Sequence, residues 1–340
     1  MAMLRYIKNI IETNTLISKL FDGIASTVFY HKLINSKITN FVSSIKIIKN
    51  YNVIIETTNI CNARCLMCPH ANMKRAKGIM KEAVFNQVVK KLLSDKIRPK
   101  AIILNGFGDP LTDGLIFQRV RFLKKNFPGT VVKFYTNLGL ANSEVINEIF
   151  RSGLDEINIS FNGYNKENYE KVMGIKYTRS LRNLEELIKR RRQIGSRLII
   201  RISMALVSEN DRDVKKFLDR WQNKVDSVSI NKIHTYAGSV NNYSGKNKIN
   251  YKKQIYPCKY IWDTITIGYS GDIYLCCLDF EGKYNFGNIT KKKISEIFYS
   301  EEFEKIRRQH LIGDLSQLPI CKSCYTPYKN GVEWLINNLF

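Results

Sequence analysis

The sequence has no uninterrupted apolar run long enough to span a bilayer, so no transmembrane helix is expected. Its first residues lack the apolar stretch and small-residue cleavage site of a secretory signal, which predicts a cytoplasmic protein. Internal repeats and low-complexity tracts are absent. Acidic residues are scarce: 30 Asp and Glu stand against 54 Lys and Arg, a formal charge of +24. That imbalance points to an anionic partner (nucleic acid, an acidic membrane surface, a phosphorylated substrate or an acidic electron donor) or to a surface kept soluble by lysine. With 44% hydrophobic residues in 340, the chain is no disordered protein and is long enough for one large domain with smaller appendages.

What the chain does have is eight cysteines in two groups. A reducing cytosol makes them metal ligands rather than disulfides. Cys61, Cys65 and Cys68 are close together, whereas Cys258, Cys276, Cys277, Cys321 and Cys324 lie in the last quarter. Residues 1–48 read as helical, with Ile7, Ile10, Ile11, Leu16, Leu20 and Phe21 interleaved with Lys and Asn. A helix packed on the main domain is the preferred reading, and a basic amphipathic helix on a membrane is the other.

From residue 52 strands and helices alternate. Strands are expected at 53–57, 101–104, 131–135, 156–160, 198–204 and 227–231. Helices are expected at 81–94, 115–126, 143–151, 179–193 and 211–222. Such alternation favours a parallel sheet with right-handed crossovers, and six units make a partial (β/α)6 barrel rather than the full eight. The core is placed at 49–235, a polar Asn, Ser, Gly and Lys linker at 236–256, and a C-terminal domain at 257–340, with short strands around 265–275 and a helix near 294–310.

Cys61-Asn62-Ala63-Arg64-Cys65-Leu66-Met67-Cys68 follows the first strand. Three thiolates there can hold three irons of a [4Fe–4S] cubane and leave the fourth iron open, as a catalytic site does. This CxxxCxxC spacing resembles the signature of the radical S-adenosylmethionine (SAM) superfamily. The resemblance implies that SAM chelates the open iron and is cleaved to a 5′-deoxyadenosyl radical that abstracts a substrate hydrogen. It also assigns cofactor-binding roles to Met67 and to Asn105-Gly106-Phe107-Gly108-Asp109-Pro110, which resembles the family's GGEP-type loop with Asp109 where Glu is usual. Gly106 and Gly108 would permit backbone conformations and a close ligand approach that a Cβ obstructs. Thr136-Asn137 resembles the family's Thr-Asn-Gly turn, with Leu138 in place of Gly. Ser160 resembles the serine near the SAM ribose and carboxylate, and Arg201 is a candidate for that carboxylate or an ordinary salt-bridged arginine. Residues that follow the strands of a parallel barrel emerge on one face, so these motifs are expected together.

In the C-terminal group, 17 residues separate Cys258 from Cys276 and 44 separate Cys276 from Cys321, with Cys324 closing a CxxC. Taken alone, this fits a zinc ribbon as well as an iron–sulfur site. Beside the first motif, Pro257-Cys258, Gly271, Cys276-Cys277-Leu278-Asp279, Gly287-Asn288 and Cys321-Lys322-Ser323-Cys324 resemble the SPASM/Twitch auxiliary domains of the superfamily. A full SPASM domain carries two auxiliary clusters and needs more cysteines than these five. The set therefore resembles the single-cluster, Twitch-like version, similar in spacing to a radical SAM dehydrogenase acting on an aminocyclitol alcohol. Cys258, Cys276, Cys321 and Cys324 are the expected ligands. If Cys276 and Cys277 lie on a strand they point to opposite faces, which leaves Cys277 free as a catalytic hydrogen donor or an inert buried thiol.

The resemblance thus implies SAM and two [4Fe–4S] clusters, one of them auxiliary. It implies a small polar substrate, sugar- or cyclitol-like, that a phosphate or nucleotide would suit given the charge, and an acidic flavodoxin- or ferredoxin-type electron donor. Oxidation of an alcohol to a ketone is the leading reading. Epimerisation and peptide maturation follow, and a zinc-ribbon protein binding nucleic acid comes last. Lys189-Arg190-Arg191-Arg192 reads as a solvated helix face, and nucleic acid is not the expected partner.

Overall fold

The computed structural model describes residues 51–236, 240 and 257–327; the expected N-terminal helices and most of the expected linker lie outside them. Six parallel strands form the main sheet: β1 (Asn52–Ile55), β2 (Ala101–Ile103), β3 (Val131–Thr136), β4 (Glu156–Ser160), β5 (Ile199–Leu206) and β6 (Ser227–Lys232). Between them run α1 (Glu82–Ser94), α2 (Ile116–Asn126), α3 (Ser143–Arg151), α4 (Lys166–Met173), α5 (Tyr177–Gln193) and α6 (Val214–Trp221). This is the expected partial barrel.

Side-chain alternation explains the layers. Val132, Phe134, Ile157, Ile159, Ile200 and Ile202 are completely buried in one core with Leu184, Leu187 and Phe217 of the helices. Their strand neighbours point to the concave side, as a period of two requires. Helix α4 begins at Asn165, whose side chain accepts from the Asn168 N–H, and ends at Gly174 in the left-handed region (φ 67°), where a Cβ would be strained.

The C-terminal segment extends the same sheet. Its β7 (Thr264–Ile267) lies parallel to β1, β8 (Asp272–Tyr274) pairs antiparallel with β7, and β9 (Asn285–Asn288) pairs antiparallel with β8. The nine-stranded order is β6-β5-β4-β3-β2-β1-β7-β8-β9. A short α7 (Tyr260–Asp263) precedes β7, and α8 (Ile294–Phe298), α9 (Glu301–Ile312) and α10 (Pro319–Lys322) follow β9. The single helix expected near 294–310 is thus two, because Ser300 caps a new one by accepting from the Phe303 N–H. Among the described residues no helix is long and apolar enough to cross a membrane.

Candidate active site

The loop after β1 carries the first three cysteines and is fixed at both ends. Near its base, Asn59 Oδ1 accepts from Gly78 N at 2.7 Å and Asn59 Nδ2 donates to Ala76 O at 2.8 Å. Its middle is bonded to the end of α4, through Arg64 N to Met173 O (3.1 Å) and Leu66 N to Val172 O (2.9 Å). Cys68 N closes a turn on Cys65 O. The three thiols are half-buried and free of disulfides. Burial pushes Cys61 up to about 11, with further upward contributions from Asp109 and Cys68. Burial also raises Cys65, followed by the nearby Cys68 and Cys61. Cys61 Sγ accepts a long bond from Ala63 N (3.4 Å), and Cys65 Sγ makes long contacts to Met173 at 3.6–3.9 Å. Three mutually close soft donors with weak protein partners are a donor set suited to iron.

The loop after β2 lies against this one. Asp109 N donates to Ile60 O at 2.9 Å. Asp109 is buried, and its carboxylate accepts from Leu111 N, Thr136 Oγ1 and Asn137 N at 2.9–3.0 Å. Burial raises its pKa, and these bonds pull the other way. The aspartate is therefore a clip that binds the β2 loop to the turn after β3. The glycines have a different reason from the one expected. Neither has a positive φ, and a Cβ on Gly106 would collide with the Glu56 side chain. One on Gly108 would meet the carbonyls of Thr58 and Ile60 at 2.5 and 2.6 Å. They let the two loops touch.

Asn137 completes the seam: its Nδ2 donates to Asn62 Oδ1 at 2.9 Å, inside the cysteine motif. Leu138, standing where the family has glycine, takes a left-handed φ of 55°. Met67 is buried with Val172, Val207 and Ile233. Ser160 ends β4 opposite Ser203. Arg201 is engaged by Glu156 (3.1 Å) and Ser227 (2.8 Å). The first cysteine motif, the β2 loop, Thr136-Asn137 and Ser160 all follow or end parallel strands at one edge of the sheet.

The second set gathers beside it. Cys276 and Cys277 lie in the turn after β8, where Asp279 N donates to Cys276 O. The expectation built on strand alternation therefore does not apply to them. Burial raises Cys276 first, and Cys277, Cys258 and Cys321 add to it. Cys321 is raised by burial, then by Cys258 and Cys324. Cys277 is pushed up to about 11 by burial, with Cys324 and Asp263 contributing. All five thiols thus form one group, Cys277 included. Among the described residues no three His, Cys, Asp or Glu side chains converge tightly enough to hold a single metal ion.

Two features went unread in the sequence. Tyr236 packs its ring on Phe107 of the β2 loop and on His234, and burial raises its pKa, with smaller upward contributions from Cys68, Cys65 and Cys277. Glu56 receives Arg75 through two bonds of 2.6 and 2.8 Å. Arg75 also donates to Phe280 O, and the Glu281 carboxylate accepts from Lys74 N and Arg75 N. This arginine ties the cysteine loop to the C-terminal segment. No sequence pattern marks it.

The radical SAM superfamily profile matches residues 55–220, and an iron–sulfur cluster-binding domain profile, SPASM, matches residues 258–325. Among curated proteins, an uncharacterized protein of Methanocaldococcus jannaschii is 26% identical over 195 residues, 55% of this chain and 59% of its own length. The chain thus spans less than two thirds of that relative. Three solved structures share the fold. BtrN in complex with AdoMet and 2-DOIA has a TM-score of 0.58 and 17% identity, covering 81% of this chain and 92% of its own. Streptococcus suis SuiB bound to precursor peptide SuiA gives 0.60 and 14%, covering 84% and 73%. The anSMEcpe enzyme with bound AdoMet gives 0.59 and 16%, covering 76% and 84%. The domain matches imply SAM, a [4Fe–4S] cluster and auxiliary iron–sulfur binding, which the two thiol groups fit by their chemistry. The chain thus carries a radical SAM domain followed by a C-terminal SPASM iron–sulfur cluster-binding domain.

Proposed function

We propose that this enzyme oxidises an alcohol carbon of a small sugar- or cyclitol-like substrate to a ketone in the cytoplasm, taking its first electron from an acidic flavodoxin- or ferredoxin-type donor. Cys61, Cys65 and Cys68 would hold the cluster that binds SAM, and four thiols of the C-terminal group the auxiliary cluster. When bound, SAM with its cluster supplies a hydrogen-abstracting carbon radical, and an auxiliary cluster supplies a one-electron sink. The carbinol then loses a hydrogen atom, a proton and an electron.

The observation that carries this reading is Tyr236, packed on Phe107 of the β2 loop, whose ring in turn meets Phe280 beside the second thiol group. A substrate held beside it is close to both thiol groups, as an oxidation needing a nearby electron acceptor requires. Gly106, Phe107, Asp109, Thr136, Asn137 and Ser160 are assigned to shaping the SAM pocket at the strand ends. Asp109 and Asn137 do so by fixing the two loops.

One observation favours a second reading, epimerisation with Cys277 as hydrogen donor. Cys277 is not on the far side of a strand, since it lies in the turn after β8 beside Cys276. The two separate by experiment. Reduced holoenzyme is incubated in deuterated water with SAM and a panel of aminocyclitols, sugars and their phosphates. Oxidation gives a product lighter by two hydrogens without solvent deuterium, and Cys277→Ala still makes it. Solvent deuterium in an isomeric product, lost in Cys277→Ala, would establish epimerisation instead. Hydrogen transfer only from a peptide would overturn both.

A further inference from the structure

The concave face of the sheet carries an unbroken polar row. In register across four strands stand Tyr135, Asn158, Arg201 and Ser227. Above it Ser160, Ser203 and Ser229 form a second row, toward the edge where the cysteine loop emerges. Interior rows of parallel barrels are commonly filled by branched apolar side chains, and no packing demand accounts for hydroxyls, an amide and a guanidinium here.

The row is electrostatically unfinished. Glu156 is paired with both Lys133 (3.4 Å) and Arg201 (3.1 Å), two cations to one carboxylate. The Arg201 side chain stays 40% exposed. Beyond Glu156 and Ser227 its guanidinium makes no hydrogen bond among the described residues. Asn158 Oδ1 is buried with no hydrogen-bond partner, a state proteins seldom tolerate without a ligand or water to complete it.

We infer that this row is the floor of the substrate site and that the substrate is a polyhydroxylated ring bearing an anionic substituent, phosphate or carboxylate, received by Arg201. The inference rests on the oxidation reading for the polyol and goes beyond it in naming the anion and the residues. Ring hydroxyls would meet Asn158, Ser203 and Ser229, which offer both donors and acceptors. The anion would take the unused guanidinium N–H groups in the bidentate geometry that arginine favours.

The test measures calorimetric affinity of anaerobic holoenzyme with SAM for inositol phosphates, hexose 6-phosphates and hexuronates, each against its uncharged counterpart. At least one anionic member should bind about tenfold tighter than its counterpart, and Arg201→Met should remove that advantage, as loss of charged hydrogen bonds implies. Asn158→Leu removes an orphaned acceptor at nearly constant volume. It should weaken both forms by about tenfold while holding or raising the thermal midpoint, the reverse of a structural role. The assignment is overturned if no anionic member outbinds its counterpart, if Arg201→Met keeps the preference, or if Asn158→Leu lowers the midpoint. Tight, Arg201-dependent binding without hydrogen transfer would overturn the oxidation reading and leave this one standing. Polyol oxidation indifferent to Arg201 would do the opposite.

Discussion

Asp109 occupies the place where the superfamily pattern more often has glutamate, and the structure gives the shorter side chain a reason. Its carboxylate reaches three donors on two loops while buried, so another methylene would have to displace those bonds or the groups packed around them. Restoring the usual glutamate should therefore destabilise the protein by about 1–3 kcal/mol through overpacking. Asp109→Ala should lower stability by about 3 kcal/mol, since three buried donors lose a charged acceptor. Anaerobic urea unfolding of both variants checks the pair, and a Glu variant as stable as wild type would show the pocket to be roomier than it is drawn. Leu138 is the converse case. It keeps the left-handed backbone that the pattern's glycine would adopt freely, at a strain of about 1–2 kcal/mol. Its fully buried side chain is worth about 1.5–3 kcal/mol, enough to hold it there. The motif residues were legible because their types and spacing are unusual; Glu56, Arg75 and Tyr236 were not, because a strand glutamate, a loop arginine and a linker tyrosine look the same whether or not they meet.

At the scale of elements, the strong period-two runs gave each of β1–β6 to within two residues, and the amphipathic helices α1, α2, α3 and α5 nearly as closely. What stayed hidden were pieces whose periodicity is short or interrupted. Helix α4, eight residues rich in Lys, Glu and Asn, offers little apolar pattern, although Asn165 and Gly174 were its start and stop signals. Strand β9, Asn-Phe-Gly-Asn, reads as a turn and exists because β8 lies beside it. In α9, His310 is completely buried beside Trp262, neither ring nitrogen has a partner, and burial lowers its pKa to about 4. The unfolded chain takes up a proton near pH 6.5 that the folded form refuses until about 4, so stability falls as pH drops through that window. The loss reaches about 3 kcal/mol at its lower end. His310→Leu should remove this slope and unfold less readily at pH 5 than wild type. Equal pH dependence of the two midpoints would show that another group is responsible.

For the molecule as a whole, the sequence suggested a barrel followed by a separate cap, and the structure instead continues one sheet through both. The junction could not be read from the sequence because a parallel pairing of β7 with β1 joins segments some 200 residues apart (as crossovers in parallel sheets do), and local pattern carries no trace of it. What locks the junction above the sheet is Arg75. Its guanidinium bridges Glu56 at the end of β1, whose side chain is only 4% exposed, and the Phe280 carbonyl in the cysteine turn of the C-terminal segment. Its charge also faces the Tyr274 ring at 5.2 Å. Arg75→Met would leave Glu56 buried without a counter-charge, which typically lowers stability by about 3–5 kcal/mol. Adding Glu56→Gln should recover part of that, since a neutral amide is less penalised by burial. The recovery should be confined to stability. With the guanidinium gone, the Phe280 carbonyl loses its donor and only the Glu281 bonds to the Lys74 and Arg75 backbone still draw the 276–282 turn toward the cysteine loop, so both variants should show faster amide exchange over 272–288 and a larger share of SAM cleaved without product. Exchange and product yield restored together with stability in the double variant would mean that Arg75 merely neutralises Glu56, and that the sheet alone holds the two thiol groups in register.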